Sequence, residues 1–384
     1  MPSKRVDAIQ PFYVMDILAR ARALEAQGRD IVHMEVGEPD FPTPEPVVEA
    51  GQRALAEGRT RYTPALGIPE LREAVAGWYR ERFGIEISPQ RIVITPGSST
   101  GLQMLIAALV DSGDRVLLPD PGYPCNRNFV SLYDGVPVSL PVTMEQGWVP
   151  TPEQIRQQWD ARTRALVIAT PSNPTGAVLT LEQLTDIGGS VDALGGSLIV
   201  DEIYQGLSYD APPVTALALE ADNLFVVNSF SKYFGMTGWR VGWLVVPGAF
   251  VPVMDRLAQN LYLSAPTLAQ YAALAAMRPE SVAILEERRA AFERRRDYLY
   301  PALQELGFGL AAKPQGAFYL YADCSRLTDD SFAFCERLLE QAGVAITPGK
   351  DFGLNAPQRY LRFSYTTSIE RMELAVQRLQ RALG

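Results

Sequence analysis

The 384-residue chain has one histidine, His33, and three cysteines, Cys125, Cys324 and Cys335. A single histidine excludes multi-histidine metal sites within one chain and leaves Ser-His or Cys-His chemistry dependent on that one residue. His33 lies in the strand-like stretch "DIVHMEVGEPD", where a structural role is the expectation. Three cysteines, odd in number and without C-x-x-C spacing, fit a reducing cytoplasm better than a disulfide framework. Positive charge is also scarce. A net charge of −9 argues against a nucleic-acid or anionic-membrane surface. The one Arg-rich run, "EERRAAFERRRDYLY", alternates with Glu and apolar residues and reads as a solvated amphipathic helix. No segment is apolar for long enough to span a bilayer, and "MPSKRVDAIQPFYVMDIL" lacks a continuous apolar stretch of signal-peptide length. The expected location is therefore cytoplasmic. Finally, there is no G-x-G-x-x-G after a strand and no G-x-x-x-x-G-K-[ST], so neither NAD nor ATP is implied.

The apolar content of 47% and charged content of 21% are those of an ordinary globular protein. The length exceeds what one small core needs, so two domains or one large α/β unit are expected. In the middle of the chain, short apolar runs alternate with helical patterns. "RIVIT" leads into a helix with Leu102, Leu105, Ile106 and Leu109 at i, i+3, i+4, i+7. "DRVLLPDPGYP", "VPVSLPV", "RALVIATPSNPTG", "GSLIVDEIY", "LFVVNSFSK" and "VGWLVVP" follow. Continuous apolarity is what burial on both faces of a mostly parallel sheet requires. A helix over 181–194 opens on the Thr180…Gln183 capping-box pattern. From about residue 278 the pattern changes to a long helix (279–306), "GAFYLYADCS", a helix at 331–342, "VAITPGKDFG" and "YLRFSYT". The last helix opens on Thr367…Glu370 and puts Ile369, Met372, Val376, Leu379 and Leu383 on one face. This reads as a smaller α+β domain that also takes in the N-terminal 45 residues.

Polar residues at strand ends mark where ligands bind in open α/β sheets. "TPGSST" puts Gly97, Ser98 and Ser99 at a strand-to-helix turn, a setting that suits a phosphate. "PSNPTG" holds Asn173 among prolines that restrict its backbone. "IVDEIYQGL" ends an apolar run with Asp201, a carboxylate that is costly to bury without a cation or donors. "NSFSKYFGMTGWRVGW" sets Lys232 and Arg240 either side of a Gly/aromatic turn, after Ser229 and Ser231. Each has a plain structural alternative. Together they describe one ligand with a phosphate, a protonatable ring nitrogen, a ring hydroxyl and an aldehyde: pyridoxal 5′-phosphate (PLP).

The ordered motifs "RYTPALGIPELREAVA", "TPGSSTGL", "PDPGYP", "PSNPTGAV", "VDEIY", "SFSKYFGMTGWRVGW" and "YLRFSYT" closely resemble those of class I/II aminotransferases, the aspartate-aminotransferase-like PLP enzymes. The resemblance implies an α/β PLP-dependent transferase fold. It would have a large PLP-binding domain with a mostly parallel mixed sheet over 46–278, and a small α+β domain from 1–45 and 279–384. It implies that Lys232 forms the Schiff base and moves the α-proton, and that Asp201 keeps the pyridine nitrogen protonated. Asn173 and Tyr204 would bond the ring O3′, and Tyr123 would stack on the ring. Ser98, Ser99, Ser229, Arg240 and Tyr62 would meet the phosphate, Tyr62 from a partner subunit, so a homodimer with shared active sites is implied. Arg362 would grip the substrate α-carboxylate, with Gly37 as a backbone contact.

The substrate is left open. No second cation for a distal carboxylate can be assigned, and the stretch "QPFYVMDIL" and the surroundings of Tyr123 are apolar and aromatic. The expectation is alanine or another apolar or aromatic amino donor, with 2-oxoglutarate or pyruvate as acceptor, in a ping-pong exchange. The alternatives are a C–S β-lyase of the same fold and a non-catalytic PLP-fold regulator. Such a regulator would normally need a DNA-binding segment, and no basic helix-turn-helix pattern precedes "PEPVVEAG".

Overall fold

A computed structural model describes residues 4–7, 9 and 11–384. A two-residue strand, β1 (Val32–His33), precedes the main sheet. That sheet is built from β2 (Ile92–Thr95), β3 (Arg115–Asp120), β4 (Val136–Pro141), β5 (Thr163–Ala169), β6 (Ser197–Asp201), β7 (Leu224–Ser229) and β8 (Gly242–Val245), in the order β2-β8-β7-β6-β5-β3-β4. Every pairing is parallel except the two made by β8. Both neighbours of β8 run antiparallel to it, so β2 runs with β5, β6 and β7. Their C-terminal ends therefore meet at one edge, and that edge carries the site.

Neighbouring residues along the central strands feed opposite cores. Leu166, Ile168, Leu198, Val200 and Val226 pack on one face, whereas Ala165, Val167, Ile199, Phe225 and Val227 pack on the other. This is why these strands are continuously apolar. The helix Leu181–Ala193 covers the first face through Leu184, Ile187 and Val191. The helix Ser98–Leu109 covers the second through Leu102, Leu105 and Ile106. β4 departs from the expectation of two-sided burial. It is an edge strand, and Val136 is 45% exposed.

The later strands are β9 (Tyr319–Asp323), β10 (Val344–Ala345), β11 (Thr347–Pro348) and β12 (Tyr360–Ser364). β11, β12 and β9 form an antiparallel sheet, and β10 pairs in parallel with β1. The N-terminal segment is thus stitched to the C-terminal part of the chain. The helix expected over 331–342 runs as α-helix only to Arg337 and continues as a π-helical turn over Leu338–Ala342. The last helix, Ile369–Leu383, is capped by Ser368 and not by Thr367: the Ser368 hydroxyl accepts from Arg371 N at 3.3 Å.

The Arg-rich run is not simply solvated. It lies in the helix Pro279–Glu305, where Arg295 and Arg296 are buried. Arg295 donates to both carboxylate oxygens of Asp40 at 2.7 and 2.8 Å. Arg296 donates to Asp210 at 2.6 and 3.3 Å and lies over the Tyr209 ring. Guanidinium groups tolerate burial when forked onto a carboxylate in this way, and sequence periodicity carries no sign of partners so far away.

His33 is structural, as expected. Its ring nitrogens lie 2.7 Å from Glu35 and 3.1 Å from Glu25. The bond to buried Glu35, assisted by Glu25, pushes its pKa up to about 9. A folded-state pKa above the ordinary value of 6.5 means stabilisation that is complete below about pH 6.5 and lost as pH rises through 9. The thermal unfolding midpoint of the native chain should therefore fall as pH rises from 6.5 to 9.5. In His33→Gln that slope should flatten, and equal slopes in the two proteins would refute the assignment.

Candidate active site

The turn Thr95-Pro96-Gly97 carries β2 into the helix Ser98–Leu109. Gly97 has φ +80° and ψ 166°, a region nearly closed to side-chain-bearing residues. A Cβ there would also lie 2.5 Å from the Arg240 guanidinium. The bare backbone thus lets the helix start, with its unpaired N–H groups and the Ser98 and Ser99 hydroxyls, sit against Arg240. Arg240 itself has φ +53° and donates to Thr237 O at 3.0 Å.

Asn173 follows β5 and is buried, with its Oδ1 accepting from Arg362 Nη1 at 3.0 Å. At the end of β6, Asp201 accepts from Ile203 N at 3.1 Å. Burial pushes its pKa up to about 6, while that backbone bond and the Lys232 charge oppose the rise. It remains ionised at neutral pH. Tyr204, just beyond, places its hydroxyl 2.7 Å from that of Tyr319.

After β7, Lys232 donates from Nζ to Gly37 O at 2.6 Å. Burial lowers its pKa to about 8, with Arg362 and Arg240 adding to the fall and Glu38 and Asp201 resisting it. The amine is therefore neutral far more often than an exposed lysine would be. Arg362 comes from β12 and lies between two rings, 4.4 Å from the centroid of Tyr319 and 4.7 Å from that of Phe352. Its Nη2 donates to Glu35 O, and its Nε is buried without a partner among the described residues.

These groups share one cavity of about 290 Å³. Ten of the expected residues line it: Gly37, Ser98, Ser99, Tyr123, Asn173, Asp201, Tyr204, Lys232, Arg240 and Arg362. Ser229 does not. Its hydroxyl is buried, donating to Val241 O at 3.2 Å and lying 2.9 Å from Ser231 Oγ, and it is Ser231 that reaches the wall. Tyr62 is 81% exposed and lies outside the cavity of its own chain. The expected apolar wall is present as Phe12, Val14, Met15 and Leu18, with Gln10 outside the described residues. Tyr319, Ser231 and Thr237 also line the cavity and were given no role from sequence, although Ser231 was noted beside Ser229. Two serines of one short stretch look alike until the chain is folded, and Tyr319 sits in an unremarkable aromatic strand. A larger cavity of about 470 Å³, lined by Trp148, Gln183, Tyr300 and Lys313, contains none of the expected residues.

The model for aminotransferase class I and II matches residues 29–379. The chain belongs to that family. It is 41% identical over 372 residues to a valine–pyruvate aminotransferase of Mycobacterium tuberculosis, covering 97% of this chain and 96% of that protein. It is 39% identical over 384 residues to an aspartate/prephenate aminotransferase of Thermus thermophilus, covering 100% and 98%. A solved structure of aspartate aminotransferase from Thermus thermophilus with maleate superposes with a TM-score of 0.95 at 39% identity, covering both chains fully. The fold is thus the α/β aspartate-aminotransferase fold. Class I/II aminotransferases use PLP, and act on amino acids and 2-oxo acids. Among the described residues no helix is long and apolar enough to cross a membrane, and no His/Cys/Asp/Glu cluster could hold a metal ion.

Gly97→Ala should cost about 1–3 kcal/mol of stability in urea unfolding of the ligand-free protein, from backbone strain alone. A loss below about 0.5 kcal/mol would show that the turn tolerates a side chain.

Proposed function

We propose that this aminotransferase holds PLP through Lys232 and moves the amino group of an apolar or aromatic L-amino acid, alanine among them, to 2-oxoglutarate or pyruvate in a ping-pong exchange. The observation that carries this reading is the placement of the Lys232 amine and the Asp201 carboxylate in one cavity. The residues present fit the cofactor: Ser98, Ser99, Ser231 and Arg240 at the helix start for the phosphate, Asp201 for the ring nitrogen, Asn173 and Tyr204 for the ring hydroxyl, Tyr123 for the ring face. When bound, PLP supplies an aldehyde that takes the amino group and a ring that draws electrons from Cα.

The chain's own groups do the rest. Lys232, with its pKa lowered to about 8, is neutral often enough to act as nucleophile and as the base that takes the Cα proton. Asp201, ionised at neutral pH in a buried site, favours a proton on whatever nitrogen faces it. Arg362 brings a planar guanidinium to the cavity wall, suited to the substrate carboxylate. Its bonds to Asn173 and Glu35 fix the plane of the guanidinium and so the orientation of Cα.

The apolar preference has two supports. Phe12, Val14, Met15, Leu18 and Val36 line the cavity. Lys232, Arg240 and Arg362 are the cations lining it among the described residues, and each already has a task. The high exposure of Tyr62 is what a residue serving a neighbouring subunit's site would show, which supports the homodimer reading. We also read 46–278 as the PLP-binding domain and 1–45 with 279–384 as the small domain, a division consistent with the β1–β10 pairing.

A panel of amino donors assayed against 2-oxoglutarate and pyruvate tests the substrate assignment. Alanine, valine and phenylalanine should be turned over faster than aspartate and glutamate, and a dominant aspartate activity would overturn it. Arg362→Ala should raise the apparent KM for every donor by roughly 100-fold, the equivalent of a lost charged hydrogen-bond pair. An unchanged KM would place the carboxylate elsewhere.

A further inference from the structure

We propose that Tyr319 is a positioning residue that joins the two halves of the site: its hydroxyl donates to Tyr204, and its ring face carries the Arg362 guanidinium. The inference rests on the reading of the pocket given above. Tyr319 is 1% exposed and stands on β9. In the β12–β9 ladder Arg362 is paired with Tyr321, so Tyr319 is its diagonal neighbour on the same face. That register sets the guanidinium 4.4 Å from the ring centroid.

The hydroxyl end is equally constrained. It lies 2.7 Å from the Tyr204 hydroxyl, with the two rings edge-to-face at 5.6 Å and 77°. It also rests on Gly37, where a Cβ would come within 2.0 Å of it. Gly37 therefore has to be bare for Tyr319 to reach Tyr204. Among the described residues neither hydroxyl has another hydrogen-bond partner. The positive charge over Tyr319 makes its phenol the better donor of the pair. Tyr204 then accepts, its own O–H turns into the cavity, and accepting a bond strengthens the bond it can donate. One side chain thus sets both the phenol facing the ring hydroxyl of PLP and the arginine facing the substrate carboxylate.

The test compares PLP-loaded wild type, Tyr319→Phe and Tyr319→Leu by absorbance against pH at rest, and by KM and kcat for the best donor. In Tyr319→Phe the hydroxyl is lost and the face kept. The pH midpoint of the absorbance change should move up by about half a unit, because Tyr204 donates less strongly to the ring oxygen. KM should stay within about twofold, since the face under Arg362 is intact. Tyr319→Leu should show the same spectral shift and a KM raised about tenfold. An unmoved midpoint in Tyr319→Phe, which is isosteric and decides the hydroxyl claim alone, would overturn it. An unmoved KM in a folded Tyr319→Leu would overturn the role of the face. If wild type loaded with PLP showed no pH-dependent absorbance, the reading of the pocket would fail instead.

Discussion

The constraint around which the site is arranged is the burial of one amine. Lys232 leaves β7 at the edge where β2, β5 and β6 also end, and its Nζ meets the carbonyl of Gly37. Burial disfavours its charged form, and Arg362 and Arg240 on the same cavity push in the same direction. Asp201 and Glu38 pull back, so the amine is poised near neutrality and not simply silenced. The same edge places a helix start on one side of it and Arg362 on another. A parallel sheet brings such ends together because every crossover returns the chain to the same side.

A poised amine needs a wall that does not move, and the wall is the segment Glu35–Asp40. Several side-chain contacts hold it. Arg362 and Thr347 both donate to Glu35 O, His33 bonds the Glu35 carboxylate, and Arg295 forks onto Asp40. The Gly37 carbonyl that meets Lys232 sits inside this clamp. Buried Arg295, which looked like surface charge in the sequence, is therefore part of what holds the site. The link runs from packing to chemistry: the Arg295–Asp40 ion pair that ties the long helix Pro279–Glu305 to the N-terminal segment also steadies the stretch that carries the acceptor for the amine.

Much of this was legible in sequence because polar residues that interrupt or end apolar runs are costly without a purpose. Asp201 and Asn173 stood out for that reason, and the strands that lead to them alternate between two cores as their apolarity implied. What was not legible depends on sheet order, register or distant pairing. β4 has a central strand's composition yet lies at an edge. Ser229 and Ser231 are two residues apart, and only the fold decides which hydroxyl is consumed by Val241 O. Arg295 and Asp40 are 255 residues apart. Tyr319 looks like any aromatic strand residue until the ladder puts it beside Arg362. Ser368 rather than Thr367 caps the last helix because the choice turns on one residue of phase.

The central claim is that one particular amine of this chain carries the cofactor. The chain has four lysines, Lys4, Lys232, Lys313 and Lys350, which makes the claim easy to decide. The direct measurement is borohydride reduction of the PLP-loaded protein, followed by digestion and mass spectrometry of the labelled peptide. The account predicts one pyridoxyl group, on the peptide that contains Lys232, and none after Lys232→Ala. A label on Lys313 or Lys350, or one that persists in Lys232→Ala, would contradict it.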